Sequence, residues 1–494
     1  MAQLCSRHNR FHATKPLERR LKTILDVPTE SGRTLVLKSP ASVFFHSDKT
    51  ALGTLLFSSE EAVESCNSSG LLYRLDFSVT YGLQGKKMSK SKAQKAAARP
   101  YHVTLFGATG FTGRLTAEYL ATCGDSAQLK WAIAGRNNAK LEDCKRAILA
   151  LNPQADVSVV VADTGDADSL KRMAEQTQVV ITTVGPYLNY GEPLVKACVE
   201  AGTHYVDLTG EPEFVDGLIH DYQSRAEENK VKIVNSCGFD SIPHDLGALY
   251  TLQQLNQLLG SERAGKVPVK IEGFIQAQGT FSGGTWHSAI TQFSRLREYG
   301  KKRKAWHQQA KTQPTDRRRT RVLSPVIKYC KSYGSWAIPF PSIDPQVVKR
   351  TASDRKEYGP DFAYGHYILT RSLPKGLAGI AAAGGLVALS QFDFTKEKLL
   401  KVKDPGQGPS PSQRQKSWFK VHFNGEADGL HVWTEVSGGD PGYGETAKML
   451  AESALCLALD KGLPEQYGII TTGAAMGDAL INRLQKSGIQ FRTL

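Results

Sequence analysis

Three glycines spaced three residues apart, Gly107, Gly110 and Gly113, stand in the stretch FGATGFTG. A chain with 45 glycines contains such spacings by chance, so the neighbouring residues decide between a surface turn and a nucleotide site. An apolar run, HVTLF, leads into Gly107, and a helical pattern, FTGRLTAEYLATC, follows. In that context the glycines permit a tight turn, close approach of a pyrophosphate, and close packing of helix on strand. The helix N-terminus would offer unpaired N–H groups to the phosphates. The predicted nucleotide site comprises Gly107, Thr109, Gly110, Phe111, Thr112 and Gly113.

The end of the second apolar run, AGRN, indicates which nucleotide binds. An acidic residue there would hold the ribose 2′-hydroxyl of NAD, whereas Arg136 and Asn137 suit the 2′-phosphate of NADP. We therefore predict NADP as the cofactor. The alternative is that Arg136 is a surface residue without a ligand.

Two later loops are expected to extend the cofactor site. Asp163 follows the third strand and either meets the adenine or caps the next helix. Gly185 and Pro186 follow the fourth strand in TTVGPYLNYG and should border the nicotinamide end, with Tyr187 nearby.

The candidates for catalysis are Tyr187, Asp207 and His244. Asp207 and Glu211, in YVDLTGE, either act as acid and base beside the crevice or serve as structural caps. The segment CGFDSIPHDLG either brings His244 over the nicotinamide or holds it as a structural histidine. No tyrosine has a lysine four residues on, which excludes the Y-x-x-x-K mechanism of short-chain dehydrogenases. The eight cysteines form no C-x-x-C pair, so we predict no metal site and a reducing compartment.

Regular alternation of apolar runs and helical patterns from Tyr101 onward must position these residues. It favours a Rossmann-type α/β domain, a doubly wound parallel sheet. A second α+β domain on a largely antiparallel sheet follows, with a turn at Asn424 to Gly429. The predicted strands are His102 to Phe106, Lys130 to Ala134, Val157 to Ala162, Val179 to Thr183, His204 to Leu208 and Val231 to Asn235.

The predicted division of the chain has four parts. A basic extension covers residues 1–99, the NADP-binding domain 100–237, a substrate or dimerisation domain 238–470, and a C-terminal helix packing back on the first domain 471–494. The extension is either an organellar transit segment in its first 30 residues or an addition upstream of a true start at Met88, which we favour.

The net charge of +14 is concentrated in residues 1–99 and in the run Arg295 to Arg321, and the remainder is close to neutral. Solvated loops explain such runs more simply than a nucleic-acid groove, although an anionic membrane surface or an acidic substrate also suits the second run. The apolar stretch Gly376 to Ser390 is shorter than the roughly 20 residues that span a bilayer. It indicates a buried helix or, alternatively, a segment that dips into a membrane or lipid surface.

The set FGATGFTG, AGRN, TTVGPY, THYVDLTGE and CGFDSIPHDLG resembles the saccharopine dehydrogenase-like oxidoreductases, which include bacterial trans-acting enoyl reductases and an animal lipid-droplet protein. Later segments such as IPFPSIDPQVV and GGDPGYGETAKML agree, so the likeness covers about 101–494. The resemblance implies a Rossmann domain with an antiparallel second domain, an NADP-type cofactor and, in some members, lipid or glycolipid biosynthesis and association with membranes. It assigns no catalytic residue.

Two functions from different classes follow. The first is an NADPH-dependent reductase of a C=C or C=O in an acyl or lipid-like substrate, with Phe281, Trp286 and Tyr364 as candidates for an apolar lining. The second is a catalytically silent NADP-binding protein at membrane or lipid-droplet surfaces. The expected location is the cytoplasm. Peripheral contact with a membrane or lipid droplet and a homodimer are further alternatives.

Overall fold

The computed structural model describes residues 99–279, 283–310, 318–402 and 408–494, together with four short strands nearer the start. Residues 1–91 form a unit of their own, in which strand β1 (Leu25–Pro28) pairs with β2 (Thr34–Leu37) and β3 (Ser42–His46) with β4 (Thr54–Ser58), both antiparallel. Met88 lies outside the described residues. The predicted start there, and the targeting role of the first 30 residues, stay predictions.

The second unit, residues 92–494, contains the other described elements. Its strands are β5 (Tyr101–Phe106), β6 (Lys130–Gly135), β7 (Asp156–Val161), β8 (Thr177–Thr182), β9 (His204–Val206), β10 (Lys232–Val234), β11 (Val269–Gln278), β12 (Arg319–Val322), β13 (Lys328–Cys330), β14 (Ser335–Pro339), β15 (Asp361–Thr370), β16 (Trp418–Ala427), β17 (Leu430–Gly438), β18 (Gly468–Ile470) and β19 (Gln490–Thr493). Its α-helices are α1 (Phe111–Thr122), α2 (Asn138–Leu151), α3 (Ala167–Glu175), α4 (Tyr187–Ala201), α5 (Pro212–Glu228), α6 (Ile242–Arg263), α7 (Gly283–Ala310), α8 (Asp344–Asp354), α9 (Leu373–Ser390), α10 (Asp393–Leu400), α11 (Pro411–Gln415), α12 (Gly444–Leu459), α13 (Thr472–Ala475) and α14 (Asp478–Lys486).

Seven strands form the first sheet, in the order β18-β10-β9-β8-β5-β6-β7, and all of its pairings are parallel. Helices cover both faces, which explains why its strands are continuous apolar runs rather than alternating ones. The chain leaves β5 in one direction and later returns to β8 on the other side, so the strand order reverses between these two neighbours. Ligands of such sheets bind at the carboxyl ends of the strands at this point. The Rossmann-type prediction is confirmed.

The second sheet is mixed and mostly antiparallel, in the order β13-β14-β15-β11-β16-β17-β19, with β12 also beside β15. Its parallel pairs are β11 with β15 and β12 with β15. The hairpin of β16 and β17 turns at Asp428 and Gly429, whose φ angles of 49° and 76° suit a two-residue turn. The predicted turn began too early, because Asn424 lies inside β16 and pairs with Trp433.

A continuous core joins the two sheets. It extends from Val103 and Leu105 in β5, through α6, to Phe419 and Phe423 in β16. Helix α6 carries this continuity because Leu246, among its other apolar residues, is fully buried. The two sheets therefore pack as one body around a shared interior.

The end of the chain contributes to both sheets. Gly468–Ile470 pairs in parallel with Lys232–Val234 of the first sheet, although the predicted division assigns it to the second domain. Arg483 of α14 bonds Asp125 at 2.8 Å, beyond the end of α1, and Glu452 of α12 at 3.0 Å. The last strand, β19, pairs with β17 of the second sheet. Two strand pairings and the hydrogen bonds of Arg483 therefore connect the end of the chain to the rest of the molecule. The predicted domain boundaries stay predictions.

Helix α9 is exposed, so the expectation of a buried helix is wrong. Of its 18 residues only Ser390 is buried. By length and composition alone the helix is apolar enough to cross a membrane. It packs beside α7 and α10, and Gln391 bonds the backbone carbonyl of Phe293 in α7 at 2.6 Å.

The basic run that begins at Arg295 is partly neutralised by α5. Arg295 and Lys302 bond the Glu213 carboxylate at 2.7 and 2.9 Å, and Arg303 lies 3.6 Å from that of Asp216. These ion pairs hold α7 against α5 of the first domain. Residues 311–317 of this run lie outside the described part of the chain.

Candidate functional site

The glycine loop between β5 and α1 has the shape that a pyrophosphate requires. Gly107 has a φ of +92° and donates its N–H to the carbonyl of Ala134 at 2.9 Å. A Cβ on Gly113 would lie 2.2 Å from the carbonyl oxygen of Gly107, so only glycine allows the helix to start this close to the strand. The N-cap residue of α1, Gly110, supplies no side-chain hydrogen bond, which leaves the first-turn N–H groups for an anion. The residues fit the cofactor's phosphates.

Residues from distant segments of the chain cover part of this loop, and no sequence motif predicted these contacts. The ring of Phe111 packs edge-on against that of Tyr443, with centroids 5.1 Å apart. Gly408 lies so close that a Cβ there would be 2.3 Å from the Phe111 ring. Thr109 and Thr112 are half-buried beside them. The phosphate loop is thus partly covered by the second half of the chain.

Arg136 and Asn137 lie directly after β6 and have different roles. Asn137 is the N-cap of α2 and accepts a hydrogen bond from the N–H of Lys140 at 3.0 Å. Arg136 is exposed at the carboxyl end of the sheet. Capping accounts for the side-chain carbonyl of Asn137, so the predicted recognition of a 2′-phosphate falls mainly to Arg136 and stays a prediction.

Asp163 does not cap the helix that follows it. Its carboxylate accepts the N–H of Gly165 at 2.9 Å in a local turn. The N-cap of α3 is Asp166, which accepts the N–H groups of Asp168 and Ser169 at 3.1 Å. The capping alternative for Asp163 is therefore wrong, because the cap lies three residues later, at Asp166. The local turn holds Asp163 at the carboxyl end of β7.

The loop after β8 contacts the glycine loop, as the strand order requires. Thr183 donates its hydroxyl to the carbonyl of Gly107 at 3.2 Å. Gly185 is exposed and is followed by a cis bond to Pro186. A Cβ on Gly185 would lie 3.8 Å from the hydroxyl of Ser288, so the start of α7 also reaches this edge of the crevice.

Tyr187 and Asp207 are buried and make structural contacts. The Tyr187 hydroxyl donates to the carbonyl of Thr182 and accepts the N–H of Leu208, both at 3.2 Å. Asp207 is fully buried and accepts four hydrogen bonds, from the N–H groups of Thr209 and Ser236, the Tyr205 hydroxyl and the Asn235 amide. Burial raises the pKa of Asp207 to about 6, while these donors oppose the rise. Both side chains join the ends of neighbouring strands, so they position the crevice loops, and their direct role in catalysis stays a prediction.

Glu211 has the contacts of a cap, the structural alternative. Its two carboxylate oxygens accept the N–H groups of Tyr187 at 3.1 Å and Leu188 at 2.8 Å. A carboxylate at the N-terminus of α4 also complements the helix dipole. Glu211 thereby fixes the loop that carries Gly185 and Pro186.

His244 lies in the first turn of α6 and is fully buried, away from the crevice surface. Burial lowers the pKa of His244 to about 4. Four residues earlier, Asp240 is exposed, and a Cβ on Gly210 would lie 3.4 Å from its carboxylate. Although one side is open to solvent, the surrounding protein desolvates this carboxyl, and with the charge of Asp344 raises its pKa to about 7. Asp240 lies in the loop between β10 and α6, six residues after the strand ends, and this position at the carboxyl end of a strand is the signal in the sequence that indicates it.

The predicted apolar lining receives limited support. Phe281 lies outside the described residues. Trp286 is half-buried and donates its indole N–H to the carbonyl of Leu399 at 2.6 Å, which ties α7 to α10. Tyr364 is fully buried within the second sheet, so it does not line the crevice.

A family model and the relatives compared by sequence agree on one family. Residues 103–234 match the saccharopine dehydrogenase NADP binding domain. The chain is 33% identical to the saccharopine dehydrogenase-like oxidoreductase of Mus musculus over 445 residues, which cover 80% of this chain and 98% of the relative. It is 32% identical to the protein of the same name from Homo sapiens, with the same coverage. It is 34% identical to the trans-acting enoyl reductase of Mycobacterium bovis, again over 80% of this chain and 98% of the relative.

Proposed function

The chain belongs to the saccharopine dehydrogenase-like oxidoreductases and is an NADP-dependent oxidoreductase, and from this premise we propose that it reduces a C=C or C=O bond of an acyl or lipid-like substrate. The observation that carries the proposal is the likeness, over nearly the whole of the relative, to a protein named trans-acting enoyl reductase. A role in lipid or glycolipid biosynthesis belongs to the same proposal.

The crevice offers one side chain suited to proton donation. NADPH supplies the hydride in a reduction of this kind, and the protein must then supply or relay a proton. Asp240 is exposed to solvent and close to Gly210, and desolvation by the surrounding protein raises its pKa, which favours the protonated form that a proton donor requires. Tyr187, Asp207 and His244 are each almost fully enclosed, so we place Asp240 before them as the acid.

The test follows NADPH oxidation by absorbance with enoyl and ketoacyl thioesters of increasing chain length. We expect turnover that rises with chain length, and a loss of at least about a hundredfold in kcat for Asp240→Asn, in line with the usual worth of a general acid. Asp143→Asn, an exposed carboxylate on α2, is the matched control and should leave kcat unchanged. Full activity in Asp240→Asn would remove it as the acid, and absence of turnover with every thioester would contradict the substrate class.

The second candidate function, a silent NADP-binding protein at lipid surfaces, is favoured by one feature. Five large apolar side chains of α9, α10 and their junction are exposed, and we refer to them as the apolar surface. Phe392 and Phe394 within it are 67% and 69% exposed. The apolar surface consists of Leu377, Ile380, Leu389, Phe392 and Phe394.

Lysines lie next to the apolar surface, which suits a peripheral contact with anionic lipid. Lys396, Lys398 and Lys401 lie on or directly after α10. Apolar insertion together with basic residues at the rim binds proteins reversibly to membrane surfaces. We therefore propose cytoplasmic localisation with peripheral binding to a membrane or lipid droplet.

Flotation with vesicles containing anionic phospholipid tests this contact. The protein should float with the vesicles, and the double variant Phe392→Ser/Phe394→Ser should remain in the soluble fraction. The matched control is Leu151→Ser, an apolar residue that is 55% exposed on α2. Equal flotation of both variants would contradict binding through the apolar surface. Binding without any thioester turnover would favour the silent function over the reductase.

A further inference from the structure

Three buried side chains from separate segments converge beneath the crevice. His244 comes from the start of α6, Asp344 from the start of α8, and His366 from β15. One nitrogen or oxygen of each lies within 4.8 Å of those of the other two. His366 Nε2 is 3.2 Å from Asp344 Oδ2, and His244 Nδ1 is 4.0 Å from Asp344 Oδ1. All three are at least 94% buried.

His244 is the side chain whose environment hydrogen bonding does not explain. Its exposure is 0%, and neither ring nitrogen has a hydrogen-bond partner. Buried polar groups in folded proteins almost always have a partner, since an unpaired one loses its hydration without compensation. The Nδ1 atom points to Asp344, but 4.0 Å is too long for a hydrogen bond and leaves space between the two groups.

We propose that His244, Asp344 and His366 bind one divalent transition-metal ion of the zinc type. Two imidazoles and one carboxylate form a donor set that binds such ions in preference to calcium or magnesium. Bonds of about 2.0 to 2.2 Å to the ion place neighbouring donors about 3 to 3.5 Å apart. The distance from His366 to Asp344 is already in that range, and that from His244 to Asp344 exceeds it by less than an ångström.

The surrounding hydroxyl groups match the outer partners of a metal site. Ser342 donates to Asp344 Oδ2 at 2.5 Å, and Ser241 lies 3.5 Å from Asp344 Oδ1. The Tyr364 hydroxyl is 3.4 Å from His366 Nδ1, and Nε2, the nitrogen nearer to Asp344, would be the ligand atom in place of its present contact with the Ser342 hydroxyl at 3.1 Å. Partners of this kind orient the ligands of metal sites, and the Tyr364 hydroxyl would fix the tautomer of His366.

The burial of the three ligands favours a structural role for the ion, with a water molecule as the fourth ligand of the tetrahedral coordination. A catalytic metal needs a coordination position open to substrate, whereas these side chains have almost no solvent contact. The ion would join the start of α6, the start of α8 and β15, and it would thereby hold the loop that carries Asp240. The cysteine pattern of the sequence gave no sign of this site, because its ligands are two histidines and an aspartate, and His244 and Asp344 are 100 positions apart in the sequence.

Metal content and stability of the full chain test the proposal without reference to activity. Protein purified without metal supplements and without a histidine tag should contain about one zinc per chain by elemental analysis. Treatment with dipicolinate should remove the ion and lower Tm, and added zinc should restore both. X-ray absorption at the zinc edge should show only nitrogen and oxygen neighbours. Sulfur neighbours would assign the zinc to cysteines and overturn the proposal.

The variants His244→Ala and His366→Ala should weaken zinc binding by more than about a hundredfold, since outer partners alone contribute ten- to a hundredfold. His422→Ala is the matched control: it is also buried and lies 3.5 Å from a carboxylate, that of Glu435, and should retain zinc. If the alanine variants do not fold, a zinc titration of chelator-treated wild type decides. A rise in Tm that saturates at one equivalent supports the site. Absence of zinc with no effect of its addition, or full zinc content in folded His244→Ala, overturns it.

Discussion

Arg136 makes a sharp prediction at the scale of a single residue. A guanidinium meets a 2′-phosphate with charge-assisted hydrogen bonds that contribute about 1.5 to 3 kcal/mol, roughly ten- to a hundredfold in affinity. Arg136→Ala should therefore weaken NADPH by that factor and leave NADH unchanged, as measured by titration of both cofactors. Arg146→Ala, an exposed arginine on α2, is the matched control. Equal weakening of both cofactors by Arg136→Ala would show that this residue does not bind the phosphate.

Asp207 makes a prediction about stability and pH. Because its pKa is raised to about 6 in the folded protein, the folded state holds the proton more tightly than the unfolded state does. Its contribution to the free energy of unfolding is therefore full below about pH 4 and is lost as pH rises to about 6, by roughly 2 to 3 kcal/mol.

Urea unfolding at intervals across this pH range measures the effect. Asp207→Asn should be less stable throughout, because an amide N–H₂ then faces the Asn235 amide, but its stability should fall less between about pH 4 and pH 6. Asp143→Asn on the exposed face of α2 should keep the wild-type slope. An unchanged slope in Asp207→Asn would assign the pH dependence to other carboxyl groups.

The sequence predicts the local geometry of the glycine loop better than it predicts the surroundings of the catalytic candidates, for a physical reason. The glycine loop is local, since Gly113 is required by a carbonyl only six residues away. The environments of Asp207 and His244 are set by Asn235 and Asp344, which the fold brings from other segments. Spacing along the chain cannot indicate whether such side chains face the crevice or the interior.

At the scale of one element, the start of α1 depends on Gly113. A Cβ there would lie 2.2 Å from the Gly107 carbonyl, so Gly113→Ala must push the helix away from β5. We expect a loss of about 1 to 3 kcal/mol in stability and equal weakening of NADPH and NADH, because both carry the pyrophosphate. Calorimetry and cofactor titration measure the two effects. Gly124→Ala is the control, since a Cβ at Gly124 meets nothing within 4 Å. Normal affinity in Gly113→Ala would contradict this role.

Elements within the regular alternation of the first domain were predicted correctly, and elements outside it were not. The six predicted strands of the first sheet all occur, with small shifts at their ends. The strand Gly468–Ile470 is as short as β9 and β10, but it follows most of the second sheet and lies outside the alternation that identified those two strands. Helix α9 was expected to be buried because its composition is that of a core helix, but composition carries no information about which neighbours exist to cover it.

For the whole molecule, the structure predicts where the chain can be shortened. Arg99 is tied to the first sheet: it donates hydrogen bonds to the carbonyl of Ala201 and the hydroxyl of Thr203, both at 2.6 Å. A chain starting at Met88 keeps these bonds and should match the full chain in Tm and NADPH affinity. A chain starting at Tyr101 lacks them and should lose about 1.5 to 3 kcal/mol, the usual worth of charge-assisted hydrogen bonds.

The variant Arg99→Ala in the longer chain separates the side chain from the effect of shortening. It should reproduce the loss seen for the start at Tyr101. If the start at Met88 is itself insoluble or binds NADPH poorly, residues 1–87 contribute to the folded protein and the expected extension is wrong.

The strand Gly468–Ile470 also bears on how the protein is synthesised. A ribosome releases the segments of β5 to β10 early, but β10 has no outer neighbour until residue 470 has left the exit tunnel. The nascent chain must therefore keep an open strand edge while β11 to β17 of the second sheet are translated. Such edges invite wrong pairing, and partners distant in sequence find each other slowly. The first sheet is thus begun early in translation and completed late. We therefore expect chaperones to protect the open edge of β10 during synthesis.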